Sequence, residues 1–137
     1  MNKENVGAAA SQQYLLAKHW ASDLAFFKLE TVFLRGLLEN HFIELCDSRY
    51  LTELKRLGKQ LMDLHKDEYD CEQLLNLQLI RLSLVAKFNS LEGTKGLIAS
   101  QVEIEGIVMV ISEEYREVKR KVFKLLEVLM REHKVKN

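Results

Sequence analysis

The chain has 137 residues, with 20 Lys plus Arg against 20 Asp plus Glu, two cysteines and no proline. That length buries a core in one domain without disulfide or metal, and the balanced charge gives no field to gather nucleic acid or an anionic membrane. No run approaches the ~20 apolar residues that span a bilayer, and residues 1–13 hold no apolar stretch of signal-peptide type, so a cytoplasmic protein is expected.

Proline inside a helix costs about 3 kcal/mol and usually punctuates a globular fold, so its absence suits a few very long helices. Residues 1–9 are polar and small and are expected to form a disordered tail ahead of a single helical domain over 10–134. Two breaks divide that domain, Cys46-Asp47-Ser48-Arg49 and Gly93-Thr94-Lys95-Gly96. The first helix is predicted over Ala10–Leu45, the second over Tyr50–Leu91 and the third over Ile98–Lys134. Ser48 is suited to cap the second helix, and Gly93 to end it in left-handed geometry. Short connections make sequence neighbours antiparallel. The expected fold is all-α, an up-down-up bundle of three long helices.

In the first helix, Trp20, Leu24, Phe27, Thr31, Leu34, Leu38, His41 and Leu45 alternate steps of four and three, a coiled-coil seam. A second apolar row, Phe26, Leu29, Phe33 and Leu37, exceeds what a three-helix core requires and is the predicted interface for a second copy or a helical partner. The second helix opens with Leu54, Leu57, Leu61 and Leu64. It then crosses the polar stretch His65–Gln73, and its apolar positions resume as Leu74, Leu77, Leu84, Phe88 and Leu91. A break near residues 66–70 would turn three helices into four. The third helix repeats most regularly, through Ile104, Val108, Ile111, Tyr115, Val118, Val122, Leu125 and Leu129.

With turns centred near Ser48 and Lys95, residue i of the first helix faces about residue 96 − i of the second, and residue j of the second about 190 − j of the third. Gly36 then lies near Gly58, where two glycines would allow close approach. Asp63, Asp67, Glu68, Asp70 and Glu72 fall opposite Lys119, Arg120, Lys121 and Lys124. Pairing within the chain thus accounts for a basic run that in isolation resembles a nucleic-acid patch.

Glu30 comes within about a turn of His65 and Glu68, and carboxylate and imidazole donors of this kind suit zinc or iron. A polar layer that fixes register is the expected role of these three residues, and no metal or other cofactor is expected. His19 and Asp23 form a surface pair one turn apart. Cys46 and Cys71 read as buried thiols in a reducing compartment, separated by roughly 30 Å along the bundle and so unable to bridge. Phosphate-loop, dinucleotide, zinc-protease and nucleophile-elbow motifs are all absent.

Trp20, Asp23-Leu24, Phe26-Phe27-Lys28, Glu30 and Phe33 together resemble a pattern in a group of small, uncharacterised bacterial all-helical proteins. There an aromatic pair followed by lysine and an acid sits after a tryptophan. The spacing of Leu51, Leu54 and Leu64, and the run Tyr115, Phe123, Leu126 and Met130, are also similar to that group's later helices. The resemblance implies the long-helix fold and carries no activity. The expected function is therefore a non-enzymatic, self-associating interaction or scaffold protein without nucleic-acid or membrane partners. A helical bundle that holds a metal or small ligand is the rival.

Overall fold

A computed structural model describes residues 3–89 and 92–136, with side chains over 5–89 and 93–133. Three long helices, α1 (Lys3–Asn40), α3 (Leu51–Phe88) and α4 (Leu97–Lys136), account for most of the chain. A single turn, α2 (Phe42–Leu45), follows α1, and a short 3-10 turn (Glu92–Thr94) precedes α4. At 38 to 40 residues the long helices each extend about 57–60 Å. No strand occurs among the described residues.

Several expectations are corrected. Residues 3–9, expected as a disordered tail, are helical, and Val6 is buried; residues 1 and 2 lie outside the described residues. The second helix does not break at residues 66–70, so the fourth helix is the short α2. Asp47, rather than Ser48, organises the first reversal. Its carbonyl accepts from the backbone N–H groups of Tyr50 (2.9 Å) and Leu51 (3.0 Å), and its carboxylate accepts from that of Arg49 (3.1 Å). At the second reversal the left-handed residues are Asn89 (φ 49°) and Gly96 (φ 79°) rather than Gly93. Asparagine tolerates that geometry better than other non-glycine residues, which lets α3 end at Phe88.

The contacts resolve two compact units, Met1–Phe26 with Glu68–Val110, and Phe27–Asp67 with Ile111–Asn137. In the first unit the core comes from Val6, Ala10, Ala17, Trp20 and Leu24 of α1, Cys71, Leu75, Leu82 and Val85 of α3, and Leu97, Ile104 and Val108 of α4. Gln78 of α3 and Gln101 of α4 join it, and exposed Gln13 of α1 meets them from the surface. Gln78 Nε2 donates to Gln101 Oε1 (2.9 Å) and to the Leu97 carbonyl (3.2 Å), while Gln101 Nε2 donates to Gln13 Oε1 (2.9 Å). Amides buried with partners add little net stability but penalise any register that separates them. Gly7 sits against the end of α3, where a Cβ would collide with the Asn89 side chain.

In the second unit Phe27, Leu34 and Leu38 of α1 and Leu45 of α2 pack with Leu54, Leu57, Leu61 and Leu64 of α3 and Ile111, Val118, Val122, Leu125 and Leu129 of α4. Thr31 is fully buried among them and satisfies its hydroxyl on the Phe27 carbonyl one turn back (2.8 Å). Ile111, Val118 and Leu125 are thus core residues, as their spacing predicts.

Within each unit α3 runs antiparallel to α1 and α4. The expected α1–α3 register holds, with Gly7 at Asn89 in the first unit and Arg35 and Leu38 sharing a groove with Gly58 and Lys59 in the second. Gly36 and Gly58 themselves have open space where a Cβ would stand, so they make no close approach. The α3–α4 register differs from expectation. Gln78–Gln101 in the first unit and Arg49–Glu132 in the second place it about nine to eleven residues, roughly three turns, from the predicted pairing. The chain reverses close to Asn89 rather than at Gly93–Gly96, so the residues around Gly96 already lie alongside α3, with Arg81 donating to the Lys95 carbonyl (3.1 Å).

A phase correction in α3 matters most for function. Leu74, Leu77, Leu84 and Phe88, expected in the core, are exposed, and Leu91 lies outside the described residues. The buried positions run instead through Leu57, Leu61, Leu64, Glu68, Cys71, Leu75, Gln78, Leu82 and Val85. Those steps of three and four continue without a slip, because the helix keeps its phase by burying Glu68 and Gln78. Leu75→Ala should therefore cost about 2–5 kcal/mol in urea unfolding, whereas Leu77→Ala, two residues away, should cost about 0.5 kcal/mol or less. Equal losses would contradict this phase.

Candidate interaction surface

The second apolar row of α1 faces outward. Leu29 is 73% exposed and Phe33 52%, with Val32 also exposed beside them, and Leu37 is partly covered. Phe26, the last α1 residue of the first unit, is likewise exposed. At 100° per residue this row lies roughly 135° around the helix from Phe27, Thr31, Leu34 and Leu38, so the core-facing side cannot cover it.

Next to that row is a polar cluster in the second unit. Glu30 accepts a hydrogen bond from the Tyr115 hydroxyl (2.7 Å) and pairs with Lys119 (3.5 Å), which also donates to the Tyr115 oxygen (3.2 Å). The Tyr115 ring packs tilted on Phe27 at 5.1 Å between centroids. Burial, then donation to the Glu30 carboxylate, raises the Tyr115 pKa, and the hydrogen bond to Tyr115 raises that of Lys119. Glu30 is engaged between α1 and α4 rather than aimed at a metal. His65 is exposed, while Glu68 is fully buried in the other unit's core. Among the described residues no group of three or more His, Cys, Asp or Glu is placed to hold a metal ion.

The α3–α4 register shift puts acid opposite acid. Asp63 and Asp67 of α3 and Glu113, Glu114 and Glu117 of α4 line one open cleft of about 590 Å³ in the second unit. Burial, then the charges of Asp67 and Asp63, raise the Glu114 pKa. Of the basic run expected to face the α3 acids, Lys119 turns to Glu30 of α1, while Arg120 and Lys121 pair along their own helix. Arg120 (2.7 Å) and Lys121 (3.6 Å) both reach Glu117, and the hydrogen bond from Arg120 holds that carboxylate below the usual range.

His19 and Asp23 form the expected exposed pair at 3.7 Å. Cys71 is buried, and burial pushes its thiol up to about 11. Cys46, expected to be buried, is exposed, because the chain leaves the α1 phase at His41 and places it in the turn after α2. Both cysteines are free. Sequence reasoning missed the acidic cleft and the glutamine layer. Phase continuity through Glu68 and Gln78 is the signal that identifies the layer's α3 member.

In the first unit Val6, Ala10, Leu16, Leu82, Leu97 and Val102 contribute to an apolar groove of about 460 Å³, with Gln13 and Gln101 at its polar edge. No helix among the described residues is long and apolar enough to cross a membrane.

The crowded Glu114 supplies a pH test. Its folded-state pKa is raised above the unfolded value, so its contribution to stability is full below the ordinary glutamate range near pH 4.3 and is lost as pH rises through the folded value. Glu114→Gln should raise the melting temperature at pH 7 by about 1–2 °C, a shift that shrinks toward zero below about pH 4. A decrease at pH 7 would contradict the acidic crowding. No family model, curated protein or solved structure matches the chain.

Proposed function

We propose that this protein is a non-enzymatic interaction or scaffold module that self-associates, or takes a helical partner, through apolar helix faces outside its core. The observation that carries the reading is the exposure of large side chains at helical spacing, Leu29 and Phe33 on α1 and Leu77 and Leu84 on α3. Full burial of each would be worth about 1.5–3 kcal/mol, and clustered apolar surface on this scale marks docking faces. The proposed setting is the reducing cytoplasm, which suits two free cysteines.

A second reading, a helical protein that takes a small apolar ligand, draws on the groove at Val6, Leu16 and Leu97, whose volume falls within the usual range for ligand pockets. Sedimentation equilibrium at tens of micromolar separates the two. The scaffold reading expects twice the chain mass or more, whereas a monomer at that concentration would remove its support.

A further inference from the structure

In the second unit a groove of about 540 Å³ runs between the end of α1 and the start of α3. Its floor is buried Leu38 of α1 with Leu54 and Leu61 of α3, and exposed Phe42 and Met62 stand at its sides. Along α3 it extends from Leu51 to Met62, about 16 Å, which suits an extended alkyl chain of medium length. The volume lies within the usual range for ligand pockets. Gly58 lines the groove, and a Cβ built there meets nothing within 4 Å, so a side chain at this position would enter the groove rather than strike a neighbour. Glycine is a poor residue for a helix interior, and here it leaves that space empty.

Charge on the rim indicates the chemistry of the occupant. Arg35 of α1 and Lys55 and Lys59 of α3 line the groove against one acid, Glu39. Among the described residues Arg35, Lys55 and Glu39 make no ion pair, and Lys59 pairs with Asp63 at 3.7 Å, where both side chains are largely exposed and the pair is weak. Three cations against Glu39 and Asp63 leave an excess of one positive charge, in a chain whose net charge is zero. The charges also have a direction. In the α1–α3 register Arg35 and Lys59 lie at the Met62 end and Lys55 one turn further along, while Phe42 and Leu51 beyond it are apolar.

We infer that this groove binds a single-chain alkyl carboxylate. The head group lies among Arg35, Lys59 and Lys55, where the planar guanidinium of Arg35 offers a carboxylate two parallel donors, and the tail runs over Leu38 and Leu54 toward Leu51 and Phe42. The cations alone would hold any anion weakly in water, and the floor alone would accept any apolar chain. Their sequence along one groove selects a molecule with both parts. This goes beyond the self-association reading and uses none of the residues that carry it.

Isothermal titration calorimetry of the full chain with decanoate, decanol and decylammonium, each below its micelle concentration, tests the assignment. Decanoate should bind saturably and roughly ten-fold more tightly than either analogue. Gly58→Leu should remove decanoate binding while far-UV circular dichroism shows unchanged helical content. Lys55→Glu should weaken decanoate about ten-fold and strengthen decylammonium, an exchange of preference that a general loss of structure would not produce. Absence of decanoate binding, or equal binding of all three chains, would overturn the inference. Parent-like decanoate affinity in a folded Gly58→Leu would place the ligand elsewhere and overturn it as well. Binding to vesicles of anionic phospholipid without binding of decanoate would overturn it in favour of a membrane surface. Should Gly58→Leu fail to fold, an unchanged preference in Lys55→Glu would overturn the head-group assignment by itself.

Discussion

Everything in this fold depends on keeping the buried positions of each long helix in one phase from end to end. Steps of three and four average close to the helical repeat, so a stripe that obeys them drifts only about 20° around the helix per seven residues. A single slip would rotate the remaining side chains away from their neighbours. The constraint is severe enough that α3 carries Glu68 and Gln78 at buried positions, α4 carries Gln101, and α1 carries Thr31. Each lies where a leucine would serve hydrophobic burial better. What the polar residues supply is discrimination. Gln13, Gln78 and Gln101 are hydrogen-bonded in one layer, and a displaced register would bury amide groups without partners.

The same phase determines what remains outside. In each unit three helices enclose a narrow core, so an apolar residue off the buried phase has no intramolecular cover. Leu29 and Phe33 on α1, and Leu77, Ile80 and Leu84 on α3, are in that position. The polar surface has a comparable logic. The α3–α4 register brings Asp63 and Asp67 to Glu113 and Glu114, while Lys119 turns to Glu30 and Arg120 and Lys121 turn to Glu117. Balanced composition therefore hides a local excess of acid, and charge counting over the chain does not detect it.

The long helices, their antiparallel order, the α1–α3 register and the α4 core were legible because each follows from spacing or loop length. Ile111, Val118 and Leu125 obey the repeat without polar interruption. Local apolarity misled at α3, where Leu74, Leu77 and Leu84 resemble the continuation of a seam interrupted by His65–Gln73. Phase, which is a long-range property, passes through that interruption to Leu75 and Leu82. The second turn misled for a different reason. Glycines attract attention as breaks, yet Asn89 adopts the left-handed geometry that ends α3. Of the interface residues read from sequence, Phe26, Leu29 and Phe33 are exposed and Leu37 is half-covered. The metal candidates Glu30, His65 and Glu68 come apart because Glu30 is engaged by Tyr115 and Lys119, while His65 and Glu68 differ completely in burial.

The most direct test of an unbroken α3 phase is native-state hydrogen exchange along that helix. Amides from Leu57 through Leu82 should exchange slowly without a gap, with residues 66–70 protected to a degree comparable with the leucine-rich turns on either side. Fast exchange confined to residues 66–70, between protected flanks, would show a helix interrupted at its polar stretch and would contradict the account.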